Sequence, residues 1–249
     1  MKRRAFLAGA AALMAAPARG ETVAKAEALS GDRFMAAEKE FHLCDILAPS
    51  PYSLRDDAEP YFEGAKRACA ELLNGADILI ERDLGATRWG ARIVVARRAS
   101  DILTLQERLV EAGAARVAPL SDDFALIDQL LTAEDEARNA RRGLWRLDPY
   151  GVFRAGAAEG AVGAFHLVEG EVLRAALAGT RFYLNFGADY RTDFTAGAAS
   201  AVYRRWASDG FDLKRFEGTS VRIRGFVEAI NGPSIDLSHQ RQIEILDSF

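Results

Sequence analysis

The stretch Phe41-His42-Leu43-Cys44-Asp45-Ile46-Leu47-Ala48-Pro49-Ser50 joins a strand-like run, Arg33 to Ile46, to a polar loop. Working back from it, Val23 to Leu29 reads as another short strand, with Ser30-Gly31-Asp32 as the turn between the two. Working forward, Asp56, Asp57 and Glu59 form an acidic loop that suits the positive end of a helix dipole. Pro60 to Leu73 then carries Tyr61, Ala65, Ala68, Leu72 and Leu73 at helical spacing and stops at Asn74-Gly75. Ile78 to Glu81 and Arg92 to Ala96 are strand-like, joined by the polar segment Asp83 to Gly90. A helix is expected over Asp101 to Glu111, closed by Gly113, and another from about Asp122 to Arg141, stopping at Gly143. Strands followed by helices that fill one end make an α+β pattern.

The character of the chain changes after residue 146. Leu147-Asp148-Pro149-Tyr150-Gly151 and the small, glycine-rich Gly156 to Gly163 read as a linker over 147–165. Beyond it, Leu167 to Arg174, Arg181 to Phe186, Asp193 to Ala196, Val221 to Glu228, Ser234 to Leu237 and Ile243 to Leu246 are strand-like. Ala199 to Ser208 is a short helix among them, and Asn231-Gly232-Pro233 is a turn.

The first residues predict export. Lys2, Arg3 and Arg4 precede an apolar run to Ala16, and Ala16-Pro17-Ala18 supplies a signal-peptidase exit, so residues 1–18 are expected to be a signal peptide. Arg3-Arg4 before Ala5-Phe6-Leu7 resembles a twin-arginine signal, which implies a periplasmic or secreted protein. The apolar run is too short to span a bilayer. The net charge of -4 argues against bulk attraction to nucleic acid, which needs a basic face. Cys44 and Cys69 are the only cysteines, and either a disulfide in an oxidising compartment or two buried thiols fits them. With three scattered histidines they give no zinc-ligand spacing.

Several separated motifs together resemble the thermonuclease, or staphylococcal-nuclease-like, family over residues 23–146. Ser30-Gly31-Asp32 stands at that family's acidic turn, and Ile46 to Ser50 at its strand carrying an Asp, a Pro and the catalytic Glu. Arg88-Trp89-Gly90-Ala91 matches a tyrosine-glycine-arginine turn. Leu105 to Val117 resembles its second helix and following strand, and Arg142-Gly143-Leu144-Trp145 its Gly-Leu-Trp ending. The resemblance implies an α+β fold, an OB-type β-barrel with three helices. The strands of 166–249 suggest a second, mostly β, OB-like barrel. The segment Phe182 to Thr195 is similar to a module appended to some exported thermonuclease homologues.

The family's chemistry uses calcium held by carboxylates, a glutamate base and two arginine clamps. In this chain Asp32 stands at the first metal ligand, but Leu47 stands at the second and cannot bind calcium. His42 replaces one arginine, Ser50 the glutamate and Ala91 the other arginine. Serine is a poor base near neutral pH, and histidine lacks the arginine fork. Rescue would need Arg92 to swing in, Asp45 to shift register, or Asp56, Asp57 or Glu59 to act as base or ligand. Strand alternation and Pro49 oppose the first two.

The expectation is therefore a pseudonuclease without a required cofactor, acting as a binding or scaffolding module toward single-stranded nucleic acid, a peptide or an envelope protein. The alternative is a calcium-dependent phosphodiester hydrolase with a rearranged site. Trp89 is a candidate stacking platform. Arg191, with Arg181 and the neighbouring aromatics, is a candidate single-strand contact; the other reading has those aromatics filling the barrel and Arg191 paired with Asp189 or Asp193. His166 and His239 are expected to be structural or solvent-facing.

Overall fold

A computed structural model describes residues 20–52 and 57–246; the predicted signal segment, residues 1–18, and Asp56 lie outside them. The first sheet has the strand order β1-β6-β7-β4-β3-β2. It is built from β1 (Glu21–Val23), β2 (Glu27–Ala28), β3 (Arg33–Ala36), β4 (Lys39–Leu43), β6 (Ile78–Ala86) and β7 (Arg92–Arg98). The short β5 (Ile46–Leu47) pairs with β8 (Arg116–Val117). Three helices accompany the sheet: α1 (Phe62–Leu73), α2 (Leu105–Glu111) and α3 (Phe124–Asn139). Their shared core includes Phe34, Phe41, Leu43, Cys69, Val94, Leu109 and Ile127.

Local chemistry explains where these elements begin and turn. The predicted single run Arg33 to Ile46 is a β3–β4 hairpin followed by β5, because Ala37 and Glu38 both take positive φ, at 46° and 61°. Neither residue announces such a turn, which usually recruits Asn or Gly. Helix α2 starts four residues later than its apolar pattern suggests. Thr104 accepts from the Glu107 N–H at 3.1 Å while the Glu107 carboxylate accepts from the Thr104 N–H at 2.7 Å, a reciprocal cap. After α3, Gly143 at φ 52° meets Gly113 at φ 65°, and a Cβ at Gly143 would lie 2.1 Å from the Gly113 carbonyl oxygen. The Leu144 N–H donates to that same carbonyl at 2.8 Å. The Gly-Leu-Trp ending is thus a backbone-on-backbone contact that only glycine permits.

The second, mostly β region has the order β11-β12-β13-β15-β14-β10-β9, with β16 added to β14. Its strands are β9 (Phe153–Arg154), β10 (Phe165–Glu171), β11 (Arg174–Ala178), β12 (Arg181–Asn185), β13 (Thr195–Ala199), β14 (Ser220–Ala229), β15 (Pro233–Asp236) and β16 (Ile243–Ile245), with α4 (Ser200–Ser208) after β13. The predicted strand Leu167 to Arg174 breaks at Val172-Leu173. There the chain stops pairing with β14 and turns to pair β11 with β12; the Val172 N–H donates to Thr219 and the Leu173 N–H to Asn185. Phe182, Leu184, Phe194, Trp206, Phe216 and Ile223 fill the core.

Residues 147–165, expected as a linker, are packed. Tyr150 is buried and its hydroxyl donates to the Pro60 carbonyl at 2.6 Å. Ala158 and Ala161 enter the second core, and β9 pairs in parallel with β10. Small residues in this segment permit close packing as well as flexibility, and composition alone does not separate the two.

Candidate functional site

Asp32 is buried, and both of its carboxylate oxygens are engaged. Oδ1 accepts from the Ser30 hydroxyl at 2.7 Å and Oδ2 from the Ala48 N–H at 3.0 Å. These bonds tie the Ser30-Gly31-Asp32 turn to the chain entering Pro49. His42 Nε2 stands 3.7 Å from Asp32 Oδ2, so these two sequence-selected residues do meet.

Leu47, which the resemblance sets at the second metal position, is partly buried. It packs against an apolar cluster containing Ala137, Leu144, Trp145, Tyr150, Phe165 and Leu167, which joins the two β regions. A carboxylate there would lose solvation, and the cation its strand pairing offers, Arg116, already lies against Tyr150 and Phe165 of the same cluster. Calcium does not fit the residues present: Asp32 is occupied by internal donors, and Leu47 offers no oxygen. Among the described residues, no cluster of three or more His, Cys, Asp or Glu side chains could hold a metal.

Ser50 and Glu59 clasp the ends of the loop between them. The Ser50 N–H donates to Glu59 Oε2 at 2.9 Å, the Glu59 N–H donates to the Ser50 carbonyl at 2.9 Å, and the Ser50 hydroxyl accepts from the Tyr52 N–H at 3.0 Å. Behind them lies Arg116, with Nη2 3.7 Å from Glu59 and Nη1 donating to the Phe165 carbonyl at 2.5 Å. Glu59 therefore braces a loop and leans on a cation.

The other rescue candidates are committed elsewhere. Asp45 Oδ1 accepts from the Leu120 and Ser121 N–H groups at 2.8 and 2.7 Å, and Oδ2 accepts from the Ser121 hydroxyl at 2.6 Å. Arg92 donates to Asp83 at 2.9 Å and to Glu21 at 2.5 Å, and its guanidinium lies 5.0 Å from the Phe41 ring. Cross-strand pairing puts Arg92 beside Phe41 and Ile93 beside His42, so Arg92 faces away from His42. Asp57 is exposed in the loop. Ala91 is buried at the start of β7, its N–H donating to the Thr87 hydroxyl at 3.2 Å.

The face that carries His42 and Leu47 opens into a cleft of about 390 Å³ between the two β regions. One wall holds His42, Leu47, Ile93 and Pro119, and the other holds Phe165 and Phe226. The cleft lining also includes the carboxylates Asp45, Glu228 and Asp236 but no lysine or arginine.

The two stacking candidates lie apart from this cleft. Trp89 is 78% exposed at the β6–β7 turn, with the Arg88 guanidinium 4.0 Å from its ring. Arg191 stacks on Tyr190 at 5.3 Å; among the described residues it makes no ion pair with Asp189 or Asp193. Phe182 and Phe194 fill the second core, as one of the two sequence readings had it, but Tyr183 and Tyr190 do not. They line a separate groove with Arg174, Asn185 and Asp236 that sequence reading missed. The signal for it was the alternation Arg181, Tyr183, Asn185 against Phe182, Leu184.

His239 is nearly buried: Nε2 pairs with the Ser121 carbonyl at 3.0 Å and Nδ1 accepts from the Arg241 N–H at 3.0 Å. Burial lowers its pKa. His166 is likewise held down by burial and by Arg116, to about 4, and meets Phe153 edge-on. Cys44 and Cys69 are both buried as free thiols, which decides between the two readings left open for them.

Residues 40–147 match the family model described as Staphylococcal nuclease homologue. No curated protein matches the chain. The matched segment begins within β4, and the strands before it complete the same sheet.

Proposed function

Since the chain carries a staphylococcal-nuclease-like domain over residues 40–147, we propose that it is a pseudonuclease, exported to the periplasm, whose role is binding or scaffolding. The observation that carries this reading is Leu47. Where the family resemblance calls for a metal carboxylate, this chain has a leucine packed against the cluster that joins its two β regions. Asp32, the one carboxylate left of the set, spends its oxygens on Ser30 and Ala48. His42, Ser50 and Ala91 supply neither the base nor the paired cationic clamps that phosphodiester cleavage needs. Loss of even one such charge-stabilising donor costs about a hundredfold or more in rate.

Export is supported by Lys2-Arg3-Arg4, the apolar run and Ala16-Pro17-Ala18. Among the described residues, no helix is long and apolar enough to cross a membrane.

The test is cleavage of a fluorogenic single-stranded DNA by the purified chain, with calcium or with chelator. No turnover is expected in either condition. Calcium-dependent turnover abolished by chelator would overturn the reading and restore the hydrolase alternative. Fractionation of cells expressing the full chain tests export: periplasmic protein that becomes cytoplasmic on Arg3→Lys with Arg4→Lys is expected, and unchanged cytoplasmic retention of both forms would sink it.

A further inference from the structure

Strand alternation gives the second sheet one face toward its core and another toward solvent. On β12, Phe182 and Leu184 are fully buried, so Arg181, Tyr183 and Asn185 point to the opposite face. Pairing places Tyr183 between Ala176 of β11 and Gly197 of β13. Both neighbours are small, and a Cβ at Gly197 would lie 3.1 Å from the Tyr183 ring. The Tyr183 ring therefore lies flat against Gly197, where no side chain displaces it. Tyr190, 55% exposed, approaches from the β12–β13 loop. The groove so formed has a volume of about 720 Å³, within the range of small-molecule and oligomer sites.

Charge selects the ligand class. Arg181 is paired with Asp236 and also donates to the Gly197 carbonyl at 2.9 Å. The other charged groups of the lining are Arg174 and Glu228, so the groove is balanced. Against two cations and two carboxylates in the lining, Arg191 on Tyr190 is the one cation added at the edge, far short of the basic face a phosphate backbone needs, in a chain whose net charge is -4. What remains is the Tyr183 ring, the face of Tyr190 that Arg191 does not cover, and several planar or charged hydrogen-bonding groups. Aromatic faces give large contact with the C–H face of a sugar ring, and amide, guanidinium and carboxylate groups match pairs of hydroxyls.

We propose that this groove binds an uncharged oligosaccharide, with Tyr183 and Tyr190 stacking on sugar rings and Arg174, Asn185 and Glu228 bonding hydroxyls. The proposal deepens the binding role above and rests on that reading. Calorimetric titration of the full chain with chitotetraose, cellotetraose and maltotetraose tests it, with a short oligothymidylate as the anionic probe, each at low and high salt. At least one sugar is expected to bind with an affinity that salt leaves unchanged. Tyr190→Ala should weaken that binding by about tenfold while leaving the melting temperature in place. Tyr183→Ala, on a different element, should weaken it as well.

Failure of all three sugars to bind overturns the proposal, as does binding that both variants leave intact. Oligothymidylate binding that falls with salt and with Tyr190→Ala overturns it in favour of nucleic acid. Cleavage of the oligothymidylate in calcium would sink the pseudonuclease reading and leave the groove standing. Silent samples without sugar binding sink the groove alone.

Discussion

Arg224 of β14 and Glu134 of α3 form a fully enclosed ion pair at 2.7 Å that bolts the second sheet to the last helix of the first region. Neither side chain is exposed. Glu134 also accepts from the Val117 N–H at 2.6 Å, and Arg224 donates to the Val117 carbonyl at 3.1 Å and to Glu244. Burial works against the charge on Arg224, but the two glutamates outweigh it and raise the pKa. Arg222 extends the network to Glu169 at 2.8 Å and to Asp135 at 3.1 Å.

Removing Glu134 leaves Arg224 its second partner, Glu244, whereas removing Arg224 leaves Glu134 charged in a low-dielectric seam without an ion-pair partner. Arg224→Ala is expected to cost about 3–5 kcal/mol. Replacing both members with leucine is expected to cost far less, because the buried Glu134 charge goes as well and Glu244 keeps Arg222 at 3.6 Å. Denaturant unfolding of the three chains checks this; equal losses for the single and double variants would contradict it.

Asp45 has a positive φ of 63° and uses both carboxylate oxygens on the loop entering α3. Asp45→Ala should destabilise by about 2–3 kcal/mol, since alanine dislikes that backbone region and leaves charge-assisted donors unpaired. Asp45→Asn, which tolerates the left-handed backbone, should cost less. Thermal melts of the pair would reveal the order, and the reverse order would contradict the assigned role.

Calcium should not stabilise the folded chain. A ligand that binds only the native state raises Tm, and Asp32 and Leu47 do not form a calcium site. Melting with calcium and with chelator should coincide. Leu47→Asp is expected to lower stability by about 1–3 kcal/mol through loss of the apolar contacts with the seam cluster and partial burial of a carboxylate.

Acid should weaken the fold through its buried histidines. His166 is held at about 4 against an ordinary 6.5, and His239 is lowered by burial. The unfolded chain therefore binds more protons between these values, so stability is complete above about 6.5 and falls as pH drops toward 4. The contribution of His166 is on the order of 1–2 kcal/mol after allowance for its partial solvent contact. His166→Gln should flatten the slope of unfolding free energy against pH across that window, and an unchanged slope would remove His166 as its source.

Neither thiol should react while the protein is folded. Burial, with the Asp32 charge nearby, pushes Cys69 up to about 12, and burial with Asp45 raises Cys44. Thiolate is the reactive form. An aromatic disulfide reagent should therefore report both thiols only after denaturant is added. Immediate reaction, or no thiols in denaturant, would contradict free buried cysteines.

The sequence by itself determined the α+β class, the nuclease-like character of the first region and which residue types stand at the positions the resemblance singles out. These are local properties: apolar periodicity, turn residues, and side chains such as Leu47 and Ala91 that lack the required chemistry whatever surrounds them. The Arg142-Gly143-Leu144-Trp145 ending was legible for the same reason, although its cause, the contact of Gly143 with Gly113, was not. The hairpin at Ala37-Glu38 escaped because its positive φ values are imposed by strand pairing and carry no glycine or asparagine signal.

Only the tertiary structure decided what the remaining polar groups do. Asp32, Asp45, Glu59 and Arg92 are a metal ligand, a spare carboxylate, a base and a clamp on paper. Their partners lie up to 76 residues away and turn them into braces for loops and strands. The same holds for Leu47 at the seam, for Arg224 with Glu134, and for the groove over Gly197. A side chain's chemistry is written in its own formula, whereas its hydrogen-bond partners and its solvent are supplied by residues that only folding brings near.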